Sequence, residues 1–372
     1  MPQPSRRVVL ISGHYYGSKR RAGFHHLANA FWNLGWDVTF ATVAISLLSR
    51  LRGDYRFAYP VREEANLLVP VRERLTSFVL LTRWHPANLR FGLANRVSTP
   101  WFARYSSVTL GPLEEQLRGA DLVVFEGTAG LLFVERIRKL APRARLVYRA
   151  SDDLRALGVH PLILEAEART VPLFDLVSAP TPGIGEILGA YGPVQVHSPG
   201  VDKAAFDRPT QSPYAASPAA VFAGVSPVFD YDTLGSAAEL APHVAFHIIG
   251  ARPRPLPANV SFHPEKAFTE VVPYFQHATY GLLFTAAGYS LGQGNKLAQY
   301  SYCRLPVVAP ADLDVDRPNS CAFERGDAHS LRRALIKAER MEHSPAFAQG
   351  VLSADELAAI LAGNASDGAQ SV

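Results

Sequence analysis

Arg7-Val-Val-Leu-Ile-Ser-Gly-His14 is a short apolar run closed by a glycine turn. A helical stretch from Arg20 to Leu34 follows, ending near Gly35, and Asp37-Val-Thr-Phe-Ala-Thr42 reads as the next strand. Strand, turn, helix and strand in that order open a doubly wound parallel sheet. The form recurs downstream. Ala120–Phe125, a helix around Leu131–Leu140, Arg145–Arg149, Leu176–Ala179 and Val194–His197 continue the first series. A Pro/Ser/Ala-rich stretch then precedes a second series: Ala220–Gly224, His243–Gly250, Val260–Phe262, Tyr280–Phe284 and Pro306–Ala309.

The expected fold class is therefore α/β, with two Rossmann-like domains facing each other across a cleft, the GT-B architecture. The expected boundaries are 1–198 for the first domain, 199–219 for a linker, 220–345 for the second domain, and 346–372 for a closing helix and disordered tail. Ligands of such sheets gather at the carboxyl ends of the strands.

At 372 residues, with 48% hydrophobic and 19% charged residues, the chain has apolar material for two cores. Cys303 and Cys321 offer neither a disulfide framework nor a zinc site, which favours a reducing compartment. Val8–Ile11 is too short for the apolar region of a signal peptide, and no run approaches the roughly 18 apolar residues of a spanning helix.

The net charge of +4 is uneven: residues 1–200 hold 24 Lys and Arg against 16 Asp and Glu, whereas residues 201–372 hold 13 against 17. Ten arginines lie between Arg50 and Arg104 against four acids, interleaved with residues such as Phe78, Leu80, Trp84, Phe91, Trp101 and Phe102. Such a mixture suits an anionic bilayer surface, the candidates being Arg50, Arg52, Arg56, Arg72, Arg74, Arg83, Trp84, Arg90 and Trp101. A solvated face on a core-packed helical region is the competing reading. No nucleic-acid motif accompanies the charge, so nucleic acid is not an expected partner.

Three motifs carry chemistry. Gly13-His-Tyr-Tyr-Gly17, followed by Lys19, Arg20 and Arg21, lies at a strand-to-helix turn that would attract an anion, or is a plain tight turn. Tyr148-Arg-Ala-Ser-Asp-Asp153 sets two carboxylates just after a strand. One could take the proton of an attacking hydroxyl, because an unperturbed Asp titrates near 3.9 and is ionised at neutral pH; either could simply cap the next helix. In Gly292-Gln-Gly-Asn-Lys-Leu-Ala-Gln-Tyr300, Lys296 and Gln299 share a helix face that could bind a diphosphate, or that belongs to a capped surface helix. Glu265 could accept a hydrogen bond from a ribose or sugar hydroxyl, or be one more loop acid. Asp312-Leu-Asp-Val-Asp316 only superficially resembles a metal site. No required metal and no cofactor is expected.

At these residues the chain resembles the GumK-type β-glucuronosyltransferases of xanthan assembly, glycosyltransferase family 70. Ser12-Gly-His14, Lys19-Arg-Arg21 and His25 are similar to the family's opening. Asp121-Leu-Val-Val-Phe-Glu126, Leu146-Val-Tyr-Arg-Ala-Ser-Asp152 and Lys296-Leu-Ala-Gln299-Tyr300 match further along. The resemblance implies an inverting, metal-independent transfer of glucuronate from UDP-glucuronate, a co-substrate, to a lipid-diphosphate-linked oligosaccharide. It also implies a monotopic enzyme at the cytoplasmic face of a bacterial inner membrane, in exopolysaccharide assembly. On this carry-over Asp152 is the general base and Glu265, Lys296 and Gln299 contact the donor, while His14, Arg20, Arg21, His25 and Glu126 are candidates for the acceptor or an anion. Asn295 stands where the family has Met, Thr285 where it has a donor-site Tyr, and the loop containing Ser226 lacks the family's Met. These departures bear on the donor, so a transferase of another UDP-hexose is the near alternative. A GT-B sugar-nucleotide epimerase and a non-catalytic membrane-peripheral protein are the others.

Overall fold

The computed structural model describes residues 5–215, 218–224, 229–287, 294–313, 315 and 317–364. It divides into two compact units, Met1–His197 with Ala354–Val372, and Ser198–Ser353.

The N-terminal unit is built on eight strands: β1 (Arg7–Ser12), β2 (Asp37–Ser46), β3 (Leu68–Arg72), β4 (Leu75–Thr82), β5 (Leu122–Glu126), β6 (Arg145–Arg149), β7 (Leu176–Ala179) and β8 (Gln195–Val196). Their spatial order is β3-β4-β2-β1-β5-β6-β7-β8. All neighbours are parallel except β3 and β4. The central strands read as continuous apolar runs because both faces are covered: Val8–Ile11 and Leu122–Phe125 are each at most 1% exposed. The first helix runs Gly23–Asn33, shorter than expected, since Arg20 and Arg21 are irregular and Ala22, its N-cap, is extended. The stretch Leu131–Leu140 is a 3-10 turn, Ala129–Phe133, running into a helix, Val134–Leu140.

The second unit has β9 (Ala219–Ala223), β10 (Ala245–Ile249), β11 (Val260–His263), β12 (Tyr280–Leu282), β13 (Val307–Pro310) and β14 (Ser320–Phe323). Their order is β11-β10-β9-β12-β13-β14, parallel throughout. Phe222, Phe246, Tyr280, Leu282 and Phe284 fill one core face at 0% exposure.

The segment from 346 onward does not behave as one piece. Arg317 donates to the carbonyls of Phe347 and Gln349, holding Pro345–Ala348 within the second unit. The helix Ala354–Leu361 instead counts with the first unit, burying Leu357, Ala358 and Leu361 against Gly23–Asn33.

Residues 50–104 are neither one helix nor one surface. Leu68–Thr82 is a hairpin whose second strand pairs with β2, so Phe78 and Leu80 lie in the core at 1% and 2% exposure. Phe102 is likewise buried. Arg72 and Arg74 sit at the hairpin turn, beside the amino end of the parallel strands, and both stack on Trp32 (3.8 and 5.5 Å). Arg50, Arg83 and Arg90 follow the carboxyl ends of β2 and β4. Two opposite ends of one sheet cannot share a single patch, which removes Arg72 and Arg74 from the expected membrane surface.

Candidate active site

The adjacency of β1, β5 and β6 brings together residues far apart in sequence. His14 follows β1, Glu126 ends β5, and Ser151 and Asp152 follow β6, so all lie at neighbouring carboxyl ends. With Gly13, Arg52, Asp54, Tyr55, Arg56, Gly127 and Thr128 they line a cleft of about 680 Å³.

Glu126 is the buried anchor of this cleft, 5% exposed. One carboxylate oxygen accepts the Ser12 hydroxyl (2.5 Å) and the Gly13 N–H (3.0 Å); the other accepts the Ser151 hydroxyl (3.1 Å) and lies 3.5 Å from His14 Nε2. Burial pushes its pKa up, but the His14 charge and these hydrogen bonds outweigh that and hold it near 2. The pKa of His14 moves the other way: burial lowers it, and the charge and hydrogen bond of Glu126 more than compensate, leaving it above 6.5. Asp152 is half-buried on the same wall.

Arg56 is a strut under the cleft and no part of an exposed surface. It is 8% exposed, ion-paired to Asp54 at 2.7 Å, and donates to the carbonyls of Gly13, Val43 and Ala44. It fixes the turn carrying His14. The expectation of a lipid-facing role is therefore corrected. His25 is corrected too. It is fully buried, Nδ1 accepting the Ala22 N–H and Nε2 donating to the Tyr15 carbonyl, and burial lowers its pKa to about 3. A neutral ring with both nitrogens used binds no anion. Arg20 stacks 4.0 Å over Tyr55, a residue of the cleft wall, whereas Arg21 donates to the Tyr16 carbonyl.

In the second unit, Lys296 and Gln299 are half-buried on the helix Gly294–Tyr302, and Asn295 beside them is exposed. The Lys296 ammonium lies 5.1 Å from the Phe222 ring, over the end of β9. Gly224 makes this approach possible: its φ is +149°, and a Cβ there would stand 2.9 Å from Lys296 Cε. Glu265, exposed after β11, stands at the carboxyl edge of the same sheet. Thr285, by contrast, is 1% exposed and bridges to Phe229, so its side chain is buried. Ser226, Gly292 and Gln293 lie outside the described residues. Asp312 is bound by Arg325 Nε at 2.9 Å, and Asp314 and Asp316 also lie outside the described residues. Among the described residues no group of three or more His, Cys, Asp or Glu could hold a metal ion.

The remaining basic and apolar candidates gather after β4. Arg83 and Arg90 are exposed, and Trp84 packs on Trp101 at 4.8 Å, with Arg104 over the latter. The helix Gly92–Ala103 presents Leu93, Val97 and Trp101, each four residues from the next, at 77%, 72% and 50% exposure, with Phe91 at 73% just before it. Leu93 and Val97 escaped the sequence reading; their spacing of four was the signal.

Residues 10–180 match the family model described as glucuronosyltransferase GumK, N-terminal domain. Over 337 residues the chain is 28% identical to the UDP-glucuronate:glycolipid 2-beta-glucuronosyltransferase of Xanthomonas campestris pv. campestris, covering 89% of this chain and 83% of that protein. Among solved structures it is similar to Arabidopsis thaliana UGT89C1 complexed with UDP-L-rhamnose (12% identity, TM-score 0.54, 97% and 100% of the two chains). It is also similar to the E. coli trehalose-6-phosphate structure bound with UDP-2-fluoro glucose (11% identity, TM-score 0.57, 96% of each chain). These two likenesses carry the fold. With residues 10–180 matching that domain and both units having the fold of GT-B enzymes, the chain is a glycosyltransferase that resembles the GumK type.

Proposed function

We propose that this enzyme transfers glucuronate from UDP-glucuronate to a hydroxyl of a membrane glycolipid, with inversion at the anomeric carbon and no metal ion. The acceptor oxygen bonds to the anomeric carbon as the bond from that carbon to the UDP oxygen breaks, and Asp152 takes the hydroxyl proton. One observation carries the reading: Asp152 lies in the carboxyl-edge cleft of the unit that matches the GumK N-terminal domain. Lys296, at the first turn of Gly294–Tyr302, supplies positive charge to the leaving diphosphate, and Gln299 lies one turn on. Glu265 and Asn295 contact the donor from the same sheet edge.

On this reading the enzyme works on a bilayer, and we assign it to the cytoplasmic face of a bacterial inner membrane, in exopolysaccharide assembly. Phe91, Leu93, Val97 and Trp101, flanked by the exposed Arg83, Arg90, Arg96 and Arg104, supply the apolar and cationic parts of that contact. Among the described residues no helix is long and apolar enough to cross a membrane.

The test is binding and hydrolysis across UDP-glucuronate, UDP-glucose and UDP-galactose, with Asp152→Asn and Lys296→Ala alongside the wild type. Selective use of UDP-glucuronate, lost in Asp152→Asn with UDP affinity kept, supports the proposal. Preference for a neutral hexose changes the donor, and absence of UDP affinity overturns the mechanism.

A further inference from the structure

The cleft of the N-terminal unit holds a second ionisable pair that the role given to Asp152 leaves unused. His14 sits on the turn after β1, held from below by Arg56 through the Gly13 carbonyl at 2.7 Å. Its Nε2 meets Glu126 at 3.5 Å, and the hydroxyls of Ser12 and Ser151 fix that carboxylate from either side. Each neighbouring element contributes a group: Glu126 from the end of β5, Arg56 from the 3-10 turn Tyr55–Ala58, and Asp152 from the loop after β6. The neutral ring of His25 lies 5.7 Å away.

We propose that His14 is a positioning residue for the transfer: its imidazolium, seated on Glu126, lies beside Asp152 in the cleft and holds that carboxylate ionised and aimed at the acceptor hydroxyl. The inference rests on Asp152 being the base. The arrangement works in one direction because the two carboxylates are unequal. Glu126 is buried and fully hydrogen-bonded, so it anchors the cation and takes no proton itself. Asp152 is half-buried and lines the cleft, where an acceptor hydroxyl can reach it. Interaction is mutual: the Asp152 charge raises the pKa of His14, so the His14 cation favours the ionised form of Asp152. A cation also limits the cost of holding two carboxylates in one cleft.

The pH dependence follows with a definite sign. His14 is cationic below its own raised pKa, which covers the ordinary carboxylate range of about pH 4. Removing the cation makes Asp152 easier to protonate, so activity is lost at a higher pH on the acid side. The experiment is the pH–rate profile of the full-length enzyme with UDP-glucuronate and glycolipid for wild type, His14→Gln, His14→Lys and Asp152→Asn. In His14→Gln the acid limb should move up by about one pH unit, the low end of the shift that a neighbouring opposite charge produces. KM for the donor should not change. His14→Lys restores a cation and should return the limb toward its wild-type position. A His14→Gln profile with the wild-type acid limb, or a rate lowered by the same factor at every pH, overturns the inference, because a packing defect has no reason to track proton uptake. Asp152→Asn separates the two readings. Wild-type turnover in that variant removes the base itself, whereas an inactive Asp152→Asn beside an unshifted His14→Gln removes only the role of His14.

Discussion

Replacing Glu126 by Gln keeps the shape of the side chain and removes its charge. The carboxyl titrates at about 2 in the fold against an ordinary 4.5. At about 1.4 kcal/mol per pKa unit, that difference contributes roughly 3 kcal/mol to stability at neutral pH. The group is 5% exposed, so solvent screening takes little of this away. Because the folded pKa is depressed, the contribution is complete above pH 4.5 and fades as pH falls from 4.5 through 2. Glu126→Gln should therefore unfold roughly 3 kcal/mol more easily than wild type at pH 7, with the gap narrowing markedly at pH 3. The assay is urea denaturation followed by tryptophan fluorescence. Trp32, Trp36, Trp84 and Trp101 are the four tryptophans of the chain and all lie in the N-terminal unit, so the signal reports that unit alone. A gap of equal size at both pH values would refute the reasoning, since it would show that the lost interaction was not that of an ionised carboxylate.

Gly224→Ala forces a Cβ to within 2.9 Å of Lys296 Cε at a φ of +149°, so it should cost about 1 kcal/mol or more of stability and weaken UDP binding as Lys296 is displaced. Calorimetric titration with UDP checks this, and wild-type affinity would show that Lys296 does not need its present course. The double change Leu93→Glu, Val97→Glu alters side chains 77% and 72% exposed, so the midpoint of unfolding should barely move. Co-sedimentation with anionic vesicles should fall severalfold, and unchanged binding would move the membrane contact elsewhere. For the wild type, that binding should weaken with added salt.

The parallel strands were legible because burial on both faces leaves continuous apolar runs such as Val8–Ile11 and Leu122–Phe125. The hairpin of β3 and β4 was not. Leu68–Arg72 is an edge strand carrying Pro70 and an exposed arginine, and its partner lies inside a stretch whose arginines invited reading it as one surface. The strand Ser320-Cys-Ala-Phe323 also escaped notice, because four residues are too few to show a period. At the site, Asp152 announced itself by following a strand. Its grouping with His14 and Glu126 depends on β1, β5 and β6 being neighbours, which is a property of sheet order and leaves no local trace. His25 and Thr285 show the converse: a residue type suited to a ligand can spend all its polar capacity, or its whole side chain, inside the core.

The helix Ala354–Leu361 packs on Gly23–Asn33 after the chain has passed through the whole second unit. During synthesis the first unit consequently leaves the ribosome incomplete, with the side of Gly23–Asn33 that meets Leu357, Ala358 and Leu361 uncovered until that helix emerges. A nascent chain in that condition carries a surface that lacks its partner while the whole second unit is being made. Carboxyl-terminal truncation ahead of Ala354 would leave that surface permanently open, so a lesion at the far end of the chain would show itself as aggregation of the beginning.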